Sequence, residues 1–140
     1  MGNLFKYAPR AIAAFILLQT LYFKFGIGGE EALQASKNIF GTITLAAFGS
    51  ADYEGYMRIG TGVMELITSI LILLNSTAYI GAILSLGLMF GAILSHLLFI
   101  GINVGDDHGT LFVMACIVLL CSLKVLYDER EKVVALLPKK

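Results

Sequence analysis

The sequence predicts an all-α fold: an integral membrane four-helix up-down bundle with a short amphipathic helix in the first outer loop. Three observations predict it. Hydrophobic residues make up 58% of the 140 and charged residues only 14%, against ~45–50% and ~25% in soluble domains, whose cores need a charged coat. The charges fall in a few clumps, separated by apolar runs close to the ~20 residues that span a bilayer. One connection between runs is only Asn75–Ser76–Thr77, too short for anything but an antiparallel helical hairpin.

The first run extends from Ala8 to Phe25. Gln19 and Lys24 interrupt its far end and no small-residue cleavage site follows, so it is expected to stay attached as a helix rather than leave as a signal peptide. The loop after it, GGEEALQASKNIFGTITLAAFG, sets Leu33, Phe40, Ile43 and Ala47 at helical spacing. That pattern predicts a short amphipathic helix lying over the outer mouth of the bundle, with a solvated loop carrying one helical turn as the alternative. The second run, Met57 to Leu74, reaches the three-residue turn, where Ser76 or Thr77 is placed to cap the third run, Ala78 to Ile102. The fourth runs from Thr110 to Tyr127. Residues 1–140 thus form a single four-transmembrane-helix domain.

Orientation follows from lysine and arginine. Lys6 and Arg10 stand at the start of the first helix, and Lys124, Arg130, Lys132, Lys139 and Lys140 close the last. Only Lys24, Lys37 and Arg58 border the first loop, and none borders Asp106–Asp107. Both termini are therefore expected to be cytoplasmic, with the two long loops facing outward, into the periplasm if the host is bacterial. The multi-pass chain then belongs in a bacterial cytoplasmic membrane, its first partner the lipid bilayer. Gly87, Gly91 and Ser95, four apart, let a neighbouring helix approach closely, either inside the bundle or in a homo-oligomer. Cys116 and Cys121 lie five apart on different faces of the fourth run, which makes them packing residues rather than a redox or metal pair.

An ionisable side chain in hydrocarbon costs ~2.5–3.5 kcal/mol even on lenient scales and needs a reason. Glu65 lies eight residues into the second run, at a depth of about 12 Å. Arg58, Thr61, Thr68 and Ser69 share its stripe. His96, late in the outward-running third run, and Lys24 with Gln19, at the far end of the first, fall at overlapping depths. Three helices thus place their buried ionisable groups in the outer half, leaving the cytoplasmic half almost purely apolar. One outward-opening site containing Glu65, His96, Lys24, Arg58 and Gln19 is the expectation. Three of them also have a plainer reading: Lys24 and Arg58 snorkel to the interface, and His96 donates to a backbone carbonyl, whereas a carboxyl as deep as Glu65 must be protonated or paired.

These residues carry a resemblance. A lysine closing the first helix in LYFKFG, the stretch RIGTGVMELITSILILL with Glu65 after a glycine pair, and ILSHLLF with His96 resemble the DoxX-like family of small four-helix membrane proteins over nearly the whole chain. The chain departs from the family pattern in having Gln19 and Thr20 where a histidine is common, and in its longer first loop. The resemblance implies a cytoplasmic-membrane protein. In some members this is a subunit of a thiosulfate:quinone oxidoreductase or a partner of redox enzymes, in others an assembly factor or chaperone.

Two functions follow as expectations. In a quinone-linked redox subunit, Glu65 and His96 would be catalytic proton donors to the ring. Lys24 or Arg58 would stabilise its reduced charge, Gln19 would add a hydrogen bond, and Tyr22 or Phe25 would stack on it. The cofactor would be a quinone. No haem, iron-sulfur or nucleotide motif is present, so a partner redox enzyme would deliver the electrons. The alternative is an assembly factor, chaperone or scaffold binding lipids, partner helices or a client membrane protein without catalysis of its own. A proton-coupled exporter is disfavoured because the acid lies in the second helix. Asp106, Asp107 and His108 read as a solvated rim rather than a metal site. A formal charge of zero, with the basic residues flanking helices, gives no nucleic-acid reading.

Overall fold

In a computed structural model, which describes residues 2–138, the first apolar run, all but Phe25, lies within a helix that starts earlier, α1 (Gly2–Lys24). Its buried residues Arg10, Ala13, Ala14, Leu17, Leu21 and Lys24 recur every three or four positions, so one stripe faces the bundle and the rest faces outward. The small residues on that stripe let neighbouring helices come close. Gly26, with φ 72°, turns the chain out of α1. Its left-handed backbone is one that a residue with a Cβ adopts only under strain.

The amphipathic helix of the first loop is present and long: α2 spans Glu30–Phe48. Glu30 and Glu31 in its first turn meet the positive end of the helix dipole. Gly49, at φ 75°, ends it by donating its N–H to the Leu45 carbonyl. Ser36, Phe40, Ile43 and Thr44 form its buried face. After a single 3₁₀ turn (Ala51–Tyr53) come α3 (Glu54–Leu73) and α4 (Ala78–Ser95). The last turn of α4 widens into a π segment, His96–Ile100. Helix α5 (Thr110–Asp128) and a five-residue α6 (Arg130–Val134) complete the chain. Among the described residues there are six helices and no strand.

Helix α1 packs against α3 and α5, and α4 against the same two. The ring α1–α3–α4–α5 is therefore closed, and α2 lies across α1, α3 and the π segment. Side-chain bonds set the directions. Arg10, early in α1, meets Asn75, just beyond α3, whereas Arg58, early in α3, donates to the carbonyl of Lys24 at the end of α1. Arg10 also meets Glu129, just past α5. Neighbours in the ring are thus antiparallel, and α1 begins where α5 ends.

The core holds little bulk. Ala13, Ala14, Ala78, Ala82 and Ala115 line it with Leu17, Ile72 and Val118, and Thr68, Ser69, Ser85 and Ser122 are fully enclosed. Large apolar side chains instead point outward, among them Phe15, Ile70, Ile83, Phe90 and Leu120, an arrangement suited to a lipid surround. A Cβ on Gly81 would overlap the backbone of Ile72, so α3 and α4 touch main chain to main chain beside their short turn. Gly87 and Gly91 have open space instead and face out of the bundle. The close internal approach that the spacing placed at Gly87, Gly91 and Ser95 occurs at Gly81.

Three helical stretches are long and apolar enough to cross a membrane: Ala51–Leu73, Ala78–Ile100 and Thr110–Asp128. The sequence reading expected four. Helix α1 falls short because Arg10, Gln19 and Lys24 break up its apolar stretch, although it belongs to the same ring. Lys139 and Lys140, which entered the orientation argument, lie outside the described residues.

Candidate functional site

Glu65 is buried in α3 and meets α1. Its Oε2 lies 2.8 Å from Lys24 Nζ and 2.9 Å from the Thr20 hydroxyl, whose one proton is shared between Glu65 and the Leu17 carbonyl at 2.8 Å. The pairing follows from spacing, since Thr20 and Lys24 are one turn apart on α1 and point to the same side. Helix α2 covers the pair: the Phe40 ring centroid lies 5.9 Å from Lys24 Nζ, a cation–π contact strengthened by low solvent access. Arg58 pairs with Glu54 one turn before it and donates to the Lys24 carbonyl. The Phe25 ring lies so close to Gly62 that a Cβ there would sit 2.8 Å from it. Lys24, Arg58, Phe25 and Glu65 are thus brought together where α1 ends.

The other expected members go elsewhere. Gln19 donates to Met114 Sδ in α5 at 3.4 Å. Tyr22 is half exposed, edge-on to Phe23 at 5.6 Å and packed on Gly28. His96 is buried, but its Nδ1–H donates to the Gly101 carbonyl at 2.8 Å and its ring stands edge-on to Phe112 at 5.6 Å. No hydrogen bond links it to Glu65. The cause is local: the π segment delivers the chain into Gly101, whose φ of 79° turns that carbonyl back onto the ring. Asp107 is no loose rim residue. It caps α5, accepting from the backbone N–H of Gly109 at 2.8 Å, Val104 at 2.9 Å and Leu111 at 3.1 Å. Burial pushes its pKa up, but these donors and the nearby His96 outweigh that and hold it below the usual carboxylate value.

A second cluster, at the end where α1 begins, has no counterpart in the sequence reading, which left that half apolar. Glu129 is 4% exposed. One of its oxygens meets Arg10 and, at 3.1 Å, Lys6; the other meets Lys132 at 2.6 Å. Arg10, itself only 1% exposed, also donates to Asn75 Oδ1 at 2.9 Å, and Lys132 donates to the Asn75 carbonyl at 2.9 Å. Burial pushes the Glu129 carboxyl up, but hydrogen bonds and charge from Lys132 and Lys6 bring its pKa down to about 2. A signal was present: Arg10 stands inside the first apolar run, and Glu129 is an acid closing the fourth at the same end.

The two clusters lie at opposite ends of α1, about 21 Å apart for Arg10 and Lys24 at 1.5 Å per residue. No family model, no curated protein and no solved structure matches this chain. Fold and site define a helical protein with three helices apolar enough to cross a membrane, held to α1 by a buried ion pair at each end.

Proposed function

We propose that this chain is a four-span protein of the bacterial cytoplasmic membrane, of DoxX-like type, whose outward-facing Lys24–Glu65–Thr20 site serves a quinone-linked redox partner. The observation that carries the reading is that a carboxylate, an ammonium and a hydroxyl meet on one oxygen inside an apolar bundle. A buried pair of this kind contributes little net stability, because desolvation offsets its attraction. Such groups within a membrane therefore point to function by default. Reversible proton transfer between Glu65, Lys24 and a reduced quinone oxygen is the chemistry this trio suits, with Phe25 at its edge and α2 as its cover. His96 takes no part and supports the π segment. In this reading α1 is the fourth span, its buried Lys24 and Arg10 paired with Glu65 and Glu129 and its Phe15, Leu18 and Phe23 facing lipid. Both helix ends at the Glu129 cluster lie on the cytoplasmic side.

The test is quinone retention by protein purified with its partners. Bound quinone that disappears in Glu65→Gln, with folding kept, is the expected result; absence of quinone from the native complex would overturn the reading. A second reading, a scaffold for client helices, is favoured by a specific observation: Lys24, Arg58 and Arg10 each already pair with an acid of this chain. It requires one stable partner whose level falls on deletion, with no redox activity in the complex.

A further inference from the structure

We propose that the Lys6–Arg10–Lys132 cluster around Glu129 binds the phosphate of an anionic phospholipid in the leaflet at which α1 begins and α5 ends. Three cations share one carboxylate, so the cluster keeps a surplus of two positive charges. Its surroundings do not cancel them: Lys124 is taken by Asp128 at 2.5 Å, and the exposed Glu131, balanced in number by Arg130, joins none of the ion pairs at Glu129. Donors also exceed acceptors. The Arg10 Nε–H is buried with no acceptor. Each ammonium offers three N–H groups, of which Lys6 uses one on Glu129, while Lys132 uses one there and one on Asn75.

The unused donors are accessible, because the Lys6 and Lys132 side chains are 43% and 46% exposed. Apolar side chains flank them along the chain, Leu4 and Phe5 before Lys6 and Val134 and Leu137 after Lys132, all more than half exposed. A cationic site flanked by exposed apolar side chains matches a lipid, which presents phosphate and acyl chain together, better than it matches a dissolved anion. Arg10 and Asn75 fix the position of Glu129, so two lysines on separate helical segments, one on α1 and one on α6, are held facing the same headgroup. Basic groups gathered at the end of a membrane helix attract anionic lipid in this way. The inference stands on the membrane placement of α3–α5 and not on quinone chemistry, whose site lies at the other end of α1.

The experiment uses the full chain in nanodiscs of phosphatidylcholine alone and of phosphatidylcholine mixed with phosphatidylglycerol, with retained lipid counted by native mass spectrometry. Wild type should retain phosphatidylglycerol in preference to phosphatidylcholine. Affinity should fall about fivefold for each of Lys6→Gln and Lys132→Gln, while Lys37→Gln at the opposite end should leave it unchanged. Equal retention of the two lipids by wild type, or undiminished retention in the double variant, overturns the proposal. Inorganic phosphate added to phosphatidylcholine discs is the third arm. Thermal stabilisation by phosphate equal to that from phosphatidylglycerol assigns the cluster to a free anion and overturns it as well. If the double variant does not fold, wild type decides: preference for phosphatidylglycerol must weaken as salt screens the lysines.

Discussion

Glu65 shows at the scale of one residue what a buried charge does to its neighbours. Glu65→Ala would leave the Lys24 ammonium, 11% exposed as a side chain, without its counter-charge, and breaking a buried pair in this way costs about 3–5 kcal/mol. Thermal unfolding in detergent should show that loss, and the double variant Lys24→Met, Glu65→Leu should recover most of it; a single variant as stable as wild type would mean that water already reaches the pair. Glu129 gives a second prediction, in pH. Its folded pKa, about 2, lies below the ordinary 4.5, so its stabilising contribution is present above pH 4.5 and is lost as pH falls toward 2. Glu129→Gln should flatten that acid limb, and an unchanged pH profile would contradict the assignment. That Glu65 and Lys24 are buried charges at one level was legible in the sequence, because hydrocarbon makes any charge conspicuous, and the two were expected in one site. That Thr20 joins them and His96 does not was not legible. Depth arithmetic put His96 and Glu65 at overlapping levels, yet it contains no rotation about the helix axes, and rotation decides that Lys24 and Thr20 reach the carboxylate while His96 turns to Gly101.

Among the elements, α2 carries the clearest expectation. Ser36, Phe40, Ile43 and Thr44 are buried, so backbone amides around Ser36–Thr44 should exchange slowly in a nanodisc while those of Glu30 and Glu31 exchange fast. Uniformly fast exchange along α2 would show that it does not cover the Lys24–Glu65 pair. The helix itself was legible from the spacing of Leu33, Phe40, Ile43 and Ala47. Its last turn departs from that spacing: Ala47, expected on the apolar face, is exposed together with Ala46 and Phe48, and the buried face ends at Ile43 and Thr44. Counting the π segment with α4, the three most apolar helices were found to within three residues at each end, the run from Thr110 to Tyr127 against Thr110–Asp128 most closely. The start of α1 was missed by six residues because Lys6 and Pro9 resemble a flank, whereas Lys6 is an α1 residue paired with Glu129. The π segment has no signature in composition, since His96–Ile100 differs from ordinary helix only in hydrogen-bond register.

For the whole molecule, the closed antiparallel ring fixes which surfaces lie together. If α1 spans with α3, α4 and α5, a cysteine placed at Asn3 and one placed at Gln34, both exposed, must react with an impermeant thiol reagent from opposite sides of the membrane. Labelling of both from one side would remove α1 from the set of spans. The up-down order was legible from run lengths and the Asn75–Thr77 turn. The closure of the ring was not, because it depends on Arg10 finding Glu129 across a separation of 119 residues, and no local pattern encodes such a pair.

That separation has a consequence for how the protein is made. When α1 is synthesised, its buried Arg10 is without the Glu129 carboxylate, which follows 119 residues later. The contact of α1 with α5 cannot precede the synthesis of α5, so α1 reaches its final neighbours later than α3 and α4, which only the Asn75–Thr77 turn separates.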